Sequence, residues 1–571
     1  MDLKDIKQTE IWNLYEQGVS YCRMMGMYRD TDLNYRMYNG DQWQGLKVKG
    51  IEKIQLNFIK PIVRYKTGVI LSNLYAINYS SDNLESRDFR KSADKICKLL
   101  NKKAATIWEK DYMDMKLRMV VKDAAINDMG VIYVHYDDEL GLPVNEVIDK
   151  NDIYFGNEND SNIETQPYII IKQRMSVVEA RALAKRSGVS ETEIEFIMGD
   201  MDNIEEAGET AKYEKDNMCT VLTKLYKENG TVHFAQATKY VDIKKDADTG
   251  LKYYPVATLL WEEKKGSARG EGEVRQLIPN QLETNKTAMR RALTVKNTAF
   301  PHKIVNIEKI SNKDALEKSG GIIKVSGGPA VDDVAKIFAY VQPAQMSTDV
   351  EKLQSELIQS TRELAGAGDI ATGQINPESA SGRAILAVQQ ASQQPLTEHL
   401  QYTKTFVEHL ARIHLDMFIV YNDSITLEDE VRDGNTGEVE VQLVTIPRVV
   451  LEKLQASVKV DITPRSAYDK YAQEQSLENL LTGGWLSSQR IPELARYIDV
   501  LEDDANMPRQ KVLEMIEKFY EDQRKIMQMQ AQAQMMKQRV NQFLGEDVGA
   551  QAQQLATAQM QAQAQPMAAA Q

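Results

Sequence analysis

Cysteine is nearly missing from this chain, with 3 among 571 residues. Cys22, Cys97 and Cys219 lie far apart and form no CxxC pair. That excludes the signature of a disulfide framework or a thiolate zinc site, and predicts buried thiols in a reducing compartment. Long hydrophobic runs are missing too: no uninterrupted apolar stretch reaches the about 18 residues a membrane span needs. The opening MDLKDIKQTE lacks the apolar core of a signal peptide. The expectation is a protein made in the cytoplasm without a membrane partner. Basic charge is also short. The 70 Lys and Arg against 83 Asp and Glu leave a net charge of -13, which argues against a protein that clamps nucleic acid by neutralising phosphates. An acidic wall, however, lets a polyanion pass without sticking.

Catalytic signatures are equally scarce. Gly266, Gly270 and Gly272 cluster like a phosphate loop, but no Gly-Lys-Ser/Thr follows, and Lys264 and Lys265 precede the glycines. A mobile strand-to-helix joint accounts for them better. His409 and His414 are five apart, off the i,i+4 spacing of a helical metal pair, and no HExxH occurs. Asp137-Asp138 and Asp503-Asp504 are sequence neighbours, which point in different directions on a regular element and make poor acid/base pairs. The expectation is a non-enzymatic protein with no cofactor and no metal site.

What is present is a long α+β chain of ordinary globular composition, 42% hydrophobic and 27% charged. Its length exceeds what one core supports, so about two to four domains are expected. Up to Asp123 the pattern is mainly helical: Ile11, Leu14 and Tyr15 share a face, a helix follows from Ile62 to Leu74, and a long one from Lys91 to Ala125. Strands are expected at Val131 to Tyr136, at Pro167 to Lys172, and at Thr220 to Tyr226 paired with Val232 to Ala237 across Glu228-Asn229-Gly230. Ser176 with Glu179 three residues on forms a capping box for a short helix, and Leu251 to Trp261 returns to strand.

Beyond Trp261 the organisation changes. A helix from Glu273 to Lys296 carries Pro279, and Phe300-Pro301 stops it. A compact insert of short strands follows, at His302 to Ile307, Ile322 to Val325 and Ile337 to Val341. Ser347 and Thr348 then cap a second helix, where Val350, Leu353, Leu357 and Leu364 are spaced like a heptad seam. Gly366-Ala367-Gly368 ends it. A further helix runs from Ser381 to Tyr421 with a kink expected at Pro395. Short strands at Ser424 to Leu427, Val439 to Ile446 and Val458 to Ile462 precede helical sequence from Tyr468. From Met527 the chain is rich in Gln, Ala and Met, a composition that is helical or disordered.

Several strings resemble those of tailed-bacteriophage portal proteins, the head-to-tail connectors. They are Tyr38-Asn39-Gly40-Asp41-Gln42-Trp43, Asn57-Phe58-Ile59-Lys60-Pro61-Ile62-Val63 followed by Gly68, the run from Gly270 to Gln281, and Ser379-Ala380-Ser381-Gly382-Arg383-Ala384. Together, in order, they span Tyr38 to Tyr421. The resemblance implies a multidomain ring subunit. Residues 1–266 would form the wing, 267–298 the first stem helix, 299–346 a small α/β clip and 347–365 the second stem helix. Residues 366–380 would be the tunnel loop, 381–470 the returning wing, 471–526 a helical crown and 527–571 the tail.

It further implies a dodecameric homo-oligomer at one vertex of the virion capsid, through which double-stranded DNA is packaged and ejected. Its partners would be the terminase large subunit, the major capsid and scaffolding proteins, and head-completion and tail adaptor proteins. The tunnel-loop residues toward DNA would be Gly366, Gly368, Asp369, Thr372, Gly373 and Gln374, with Arg290, Arg291 and Lys296 as channel-facing stem candidates. Two other readings stand beside this one. A minor head or ejection protein would form no closed ring, and a packaging ATPase or nuclease would need the phosphate loop and carboxylate cluster that the sequence lacks.

Overall fold

In the computed structural model, the described residues are 7–43, 53–72, 75, 77–80, 87–137, 139–200, 217–299, 303–305, 310–312, 314, 324, 338–340, 349–366, 394–422, 424–432, 439–455, 459–461, 478, 482 and 509–544. They fall in two units, Met1–Pro464 and Arg465–Gln571.

The first unit opens with helices α1 (Glu10–Met24), α2 (Met27–Asn39), α3 (Ile59–Leu71), α4 (Arg87–Lys110) and α5 (Met113–Ile126), with the short strand β1 (Asn78–Ser80) before α4. Thr9 caps α1 by accepting a hydrogen bond from the Trp12 amide at 3.3 Å. The stretch expected as one helix from Lys91 to Ala125 is two. Tyr112 sits at φ 51, a left-handed conformation that a helix interior does not accommodate, and the chain turns there.

A meander follows: β2 (Met129–Asp137), β3 (Leu142–Ile148), β4 (Ile153–Phe155), β5 (Tyr168–Ser176), α6 (Val177–Arg186), α7 (Glu191–Ile194), β6 (Met218–Glu228), β7 (Thr231–Ala237), β8 (Asp242–Asp248) and β9 (Val256–Leu260). These strands make two antiparallel sheets, one ordered β3-β2-β9 and the other β4-β5-β6-β7-β8. The β6–β7 hairpin and the Ser176–Glu179 capping box form where the sequence placed them. The edge strand β8, Asp-Ile-Lys-Lys-Asp-Ala-Asp, carries too many charges to give a strand signal, and those charges suit an unpaired edge.

The run Ile169-Ile170-Ile171 shows why the larger sheet is covered on both faces. Alternate residues of a strand point to opposite sides. Ile169 and Ile171 enter the main core, and Ile170 enters a second cluster beneath α1 with Trp12, Tyr15, Val19 and Leu222. Burying each large side chain of α1 there contributes roughly 1.5–3 kcal/mol. A third cluster lies under α6, where Val177, Ala180 and Ala184 meet Val221 and Ile243.

The second half adds α8 (Glu273–Ala299), the strand pair β10 (Lys303–Val305) and β11 (Phe338–Tyr340), α9 (Asp349–Leu364), and α10 (Thr397–Tyr421). It continues with the hairpin of β12 (Ser424–Arg432) and β13 (Val439–Pro447), then α11 (Arg448–Gln455) and β14 (Lys459–Asp461), which pairs with β1. The main core lies between α5, the β3-β2-β9 sheet and α10, which buries Phe406, Leu410, Ile413 and Met417. A 3-10 turn at Gln394–Leu396, with Pro395 at its centre, leads into the helix that starts at Thr397. Proline suits a helix start because its missing N–H is not needed there. Residues 381–393, including the Ser381 start of that expected helix, lie outside the described residues, as do Ser347, Thr348, the strand at 322–325 apart from Lys324, and the turn at 433–435.

In the second unit, α12 (Arg509–Leu544) passes without a break through Met527, where the composition changes. The Gln- and Met-rich sequence is therefore helical to Leu544, and it exposes Met527, Met529, Met535 and Met536. Residues 545–571 are outside the described set.

Candidate functional site

The junction from which α8 leaves the body is built on close backbone approach. Glu262 and Glu271 form an antiparallel bridge, with the Glu271 amide donating to the Glu262 carbonyl at 3.0 Å. A Cβ on Gly270 would lie 2.5 Å from the Glu262 carbonyl oxygen, and one on Gly272 would lie 2.1 Å from that of Asn127. The expected mobile joint is thus a packed one: these glycines are there because no side chain fits. Just before them, the buried Arg269 grips Glu158 through two bonds of 3.0 and 3.1 Å and donates to the carbonyls of Lys150 and Ile153.

Along α8 a row of side-chain amides takes up the backbone of the extended segment before α3. The Phe58 amide donates to Gln281 Oε1 at 3.0 Å, Gln281 Nε2 donates to the Leu56 carbonyl at 2.7 Å, and the Leu56 amide donates to Asn285 Oδ1 at 3.0 Å. Asn285 Nδ2 also donates to Gln42, and Asn57 Nδ2 donates to the Tyr38 carbonyl at 2.9 Å. Three of the strings singled out in the sequence, around Tyr38–Trp43, Asn57–Val63 and Gly270–Gln281, therefore meet at one place. Gln281 and Asn285 are four apart, so they share a helix face, and both are fully buried. Their amides supply the donors and acceptors that an unpaired buried backbone requires.

The helix pair α8/α9 projects from this anchor. Asn280 Nδ2 donates to Thr361 Oγ1 across it at 3.0 Å. The face of α9 turned inward is Ile358, Thr361 and Ala365, not the expected seam. Leu353 and Leu364 stand 56% and 85% exposed, because α8 covers only one side of α9. The β10–β11 pair joins the two ends of the insert, which leaves after α8 and returns before α9.

Of the residues expected to face DNA, Gly366 ends α9 with φ +66 and its amide on the Glu363 carbonyl, a helix-terminating role. A Cβ there would lie 3.4 Å from Pro395, so the end of α9 and the turn that opens α10 adjoin. Gly368, Asp369, Thr372, Gly373 and Gln374, and the string Ser379 to Ala384, lie outside the described residues. Arg290 is exposed and pairs with Glu283 at 3.2 Å, Arg291 is half-buried and Lys296 is exposed. At about 100° per residue, these three cations are spread round the whole helix and form no single stripe.

The histidines join separate networks. His409 meets Glu164 at 3.0 Å, and Glu164 also pairs with Lys227 at 2.6 Å. His414 is buried with Nε2 on Asn145 Oδ1 at 2.8 Å, and burial pushes its imidazole down to about 4. All three cysteines are buried thiols outside any disulfide; burial raises Cys22 and pushes Cys219 up to about 11. Asp137 accepts the Glu139 and Leu140 amides in a turn, and Asp138, Asp503 and Asp504 are outside the described residues.

One cluster escaped the sequence reading altogether. Glu262 beyond β9, Glu273 opening α8 and His399 in the first turn of α10 bring their donor atoms within 4.8 Å of one another. Lys66 of α3 bonds Glu273 Oε2 at 2.7 Å, and the Trp261 indole donates to the same oxygen at 3.3 Å. The His399 ring packs on Trp261 with centroids 4.3 Å apart, and burial, reinforced by Lys66, pushes it down to about 4. Burial, and then Glu273, raise Glu262. Nothing in the sequence links residues so far apart.

The chain is an α+β body from which a helix pair departs and returns, with Leu353 and Leu364 of the second helix in solvent. A family model of the phage P22-like portal protein matches residues 23–571, nearly the full chain, and the chain belongs to that family. Portal proteins are structural components of the phage virion. No curated protein matches the chain.

Proposed function

We propose that this chain forms the ring at a unique capsid vertex through which double-stranded DNA is packaged and later ejected. The observation that carries the reading is family membership across residues 23–571. The α8/α9 pair with its bare leucines supports it, since a ring must bury between subunits what one subunit leaves exposed. In this reading residues 1–266 and 381–470 form the wing, 267–298 and 347–365 the stem, and 299–346 the clip. Residues 366–380 are the tunnel loop, 471–526 the crown and 527–571 the tail.

Twelve copies form the ring, which docks the terminase large subunit during filling and head-completion and tail adaptor proteins afterwards, within the major capsid and scaffolding proteins. The net charge of -13 suits a channel along which DNA slides rather than sticks. Because Arg290, Arg291 and Lys296 are spread round α8, the channel takes a cation from only part of that set.

Negative-stain microscopy with native mass spectrometry of the purified full chain tests this. A closed ring of twelve subunits with an axial channel is expected, and a preparation of monomers or open filaments would overturn the proposal.

A further inference from the structure

We propose that Glu262, Glu273 and His399 bind one divalent transition-metal cation of the zinc type. The three side chains come from the segment after β9, the start of α8 and the start of α10, and their donor atoms already lie within 4.8 Å of one another. Donors sharing one zinc at about 2.0–2.2 Å stand roughly 3.5 Å apart, so closing on an ion needs a shift of about an ångström, within rotamer adjustment.

A second observation points to a ligand independently of that proximity. Neither ring nitrogen of the buried His399 has a hydrogen-bond partner among the described residues, and neither has Oε1 of the fully buried Glu273. Leaving such an atom unpaired destabilises the fold, and buried polar atoms in folded proteins are otherwise nearly always satisfied. A cation between them satisfies a ring nitrogen and the carboxylate oxygen together.

Charge agrees. Two carboxylates and the Lys66 ammonium sum to one negative charge around a neutral imidazole, the form in which histidine ligates metal. Lys66 and the Trp261 indole hold Glu273 through Oε2 and leave Oε1 for the ion, as outer partners of metal-bound carboxylates do. One imidazole with two carboxylates suits zinc better than magnesium or calcium, which take all-oxygen sites. The half-buried Glu262 leaves room for a water as fourth ligand. Bound there, the ion fastens the first residue of α8 to the end of β9 and to α10, at the root of the projecting helix pair.

The test uses the untagged full chain stripped with chelator. Zinc is titrated by calorimetry and cobalt(II) by its visible absorption, alongside thermal unfolding. One equivalent of zinc, a tetrahedral cobalt spectrum and a higher Tm with zinc are expected. In Glu262→Gln and His399→Gln, affinity for that equivalent should fall at least about tenfold, while the Tm in chelator stays near that of the parent. Because Glu262 is only half-buried, its variant keeps the test open if the His399 change unfolds the chain. A parent that takes up no zinc, so that a water alone fills the gap, would overturn the proposal. So would uptake that both variants leave unchanged, which places the ion elsewhere.

Discussion

At the scale of single residues, stability in the first unit depends on a few buried polar groups whose partners come from distant segments. Arg269 is 3% exposed and its guanidinium is fully engaged by Glu158 and two carbonyls. Removing it strands the Glu158 carboxylate and both carbonyls, so Arg269→Ala should cost about 3–5 kcal/mol in chemical denaturation. His414 gives the opposite kind of dependence. Its imidazole is held neutral, donating to Asn145, whose own amide donates to Asp111 at 2.8 Å beside Lys116. With the folded value at about 4 and the ordinary imidazole value at 6.5, the unfolded chain binds the proton first. The contribution is therefore complete above pH 6.5 and is lost as pH falls from 6.5 towards 4, on the order of 3 kcal/mol by its end. In urea titrations across that range His414→Gln should flatten this part of the slope; an unchanged slope would show that His414 does not carry it.

At the scale of elements, the most consequential finding is which side of α9 is used. The heptad spacing of Leu353, Leu357 and Leu364 marks an apolar stripe correctly, yet α8 covers the neighbouring face of Ile358, Thr361 and Ala365. Two long helices packed as a pair bury one stripe each, so a second stripe on α9 is spare within the chain. Under the ring reading it meets another subunit. The double variant Leu353→Asp and Leu364→Asp should fold with unchanged circular dichroism, because within the single chain both side chains are already in solvent. Its rings should dissociate in sedimentation velocity. Intact rings would remove this stripe from the interface.

For the whole molecule, the layout around the segment 367–393 matters most. Gly366 and Pro395 adjoin, so shortening the chain between them need not disturb α9 or α10. Deleting residues 368–374 should leave ring assembly intact in microscopy while lowering the yield of DNA-filled heads in a packaging assay. Loss of soluble protein, or undiminished filling, would contradict a role for this segment at the DNA.

Much of the fold was legible from local pattern alone. The period-2 and helical repeats, the Ser176 cap and the β6–β7 turn carry their signal within a few residues, where backbone preference and side-chain alternation act. The charged edge strand β8 and the break at Tyr112 were not, since each is settled by its neighbours rather than by its own composition. The order of helix, insert, helix and glycine turn was likewise in the sequence, and so were the four strings. What only the tertiary structure decided was why they belong together. Gln42, Leu56 and Phe58 meet Gln281 and Asn285 because one helix face replaces a missing strand partner. Gly270 and Gly272 are fixed by carbonyls brought from Asp128 and Asn127. Glu262, Glu273 and His399 converge from the segment after β9 and the starts of two helices, a contact no spacing encodes. Local chemistry sets the elements; long-range packing sets which side chains face one another.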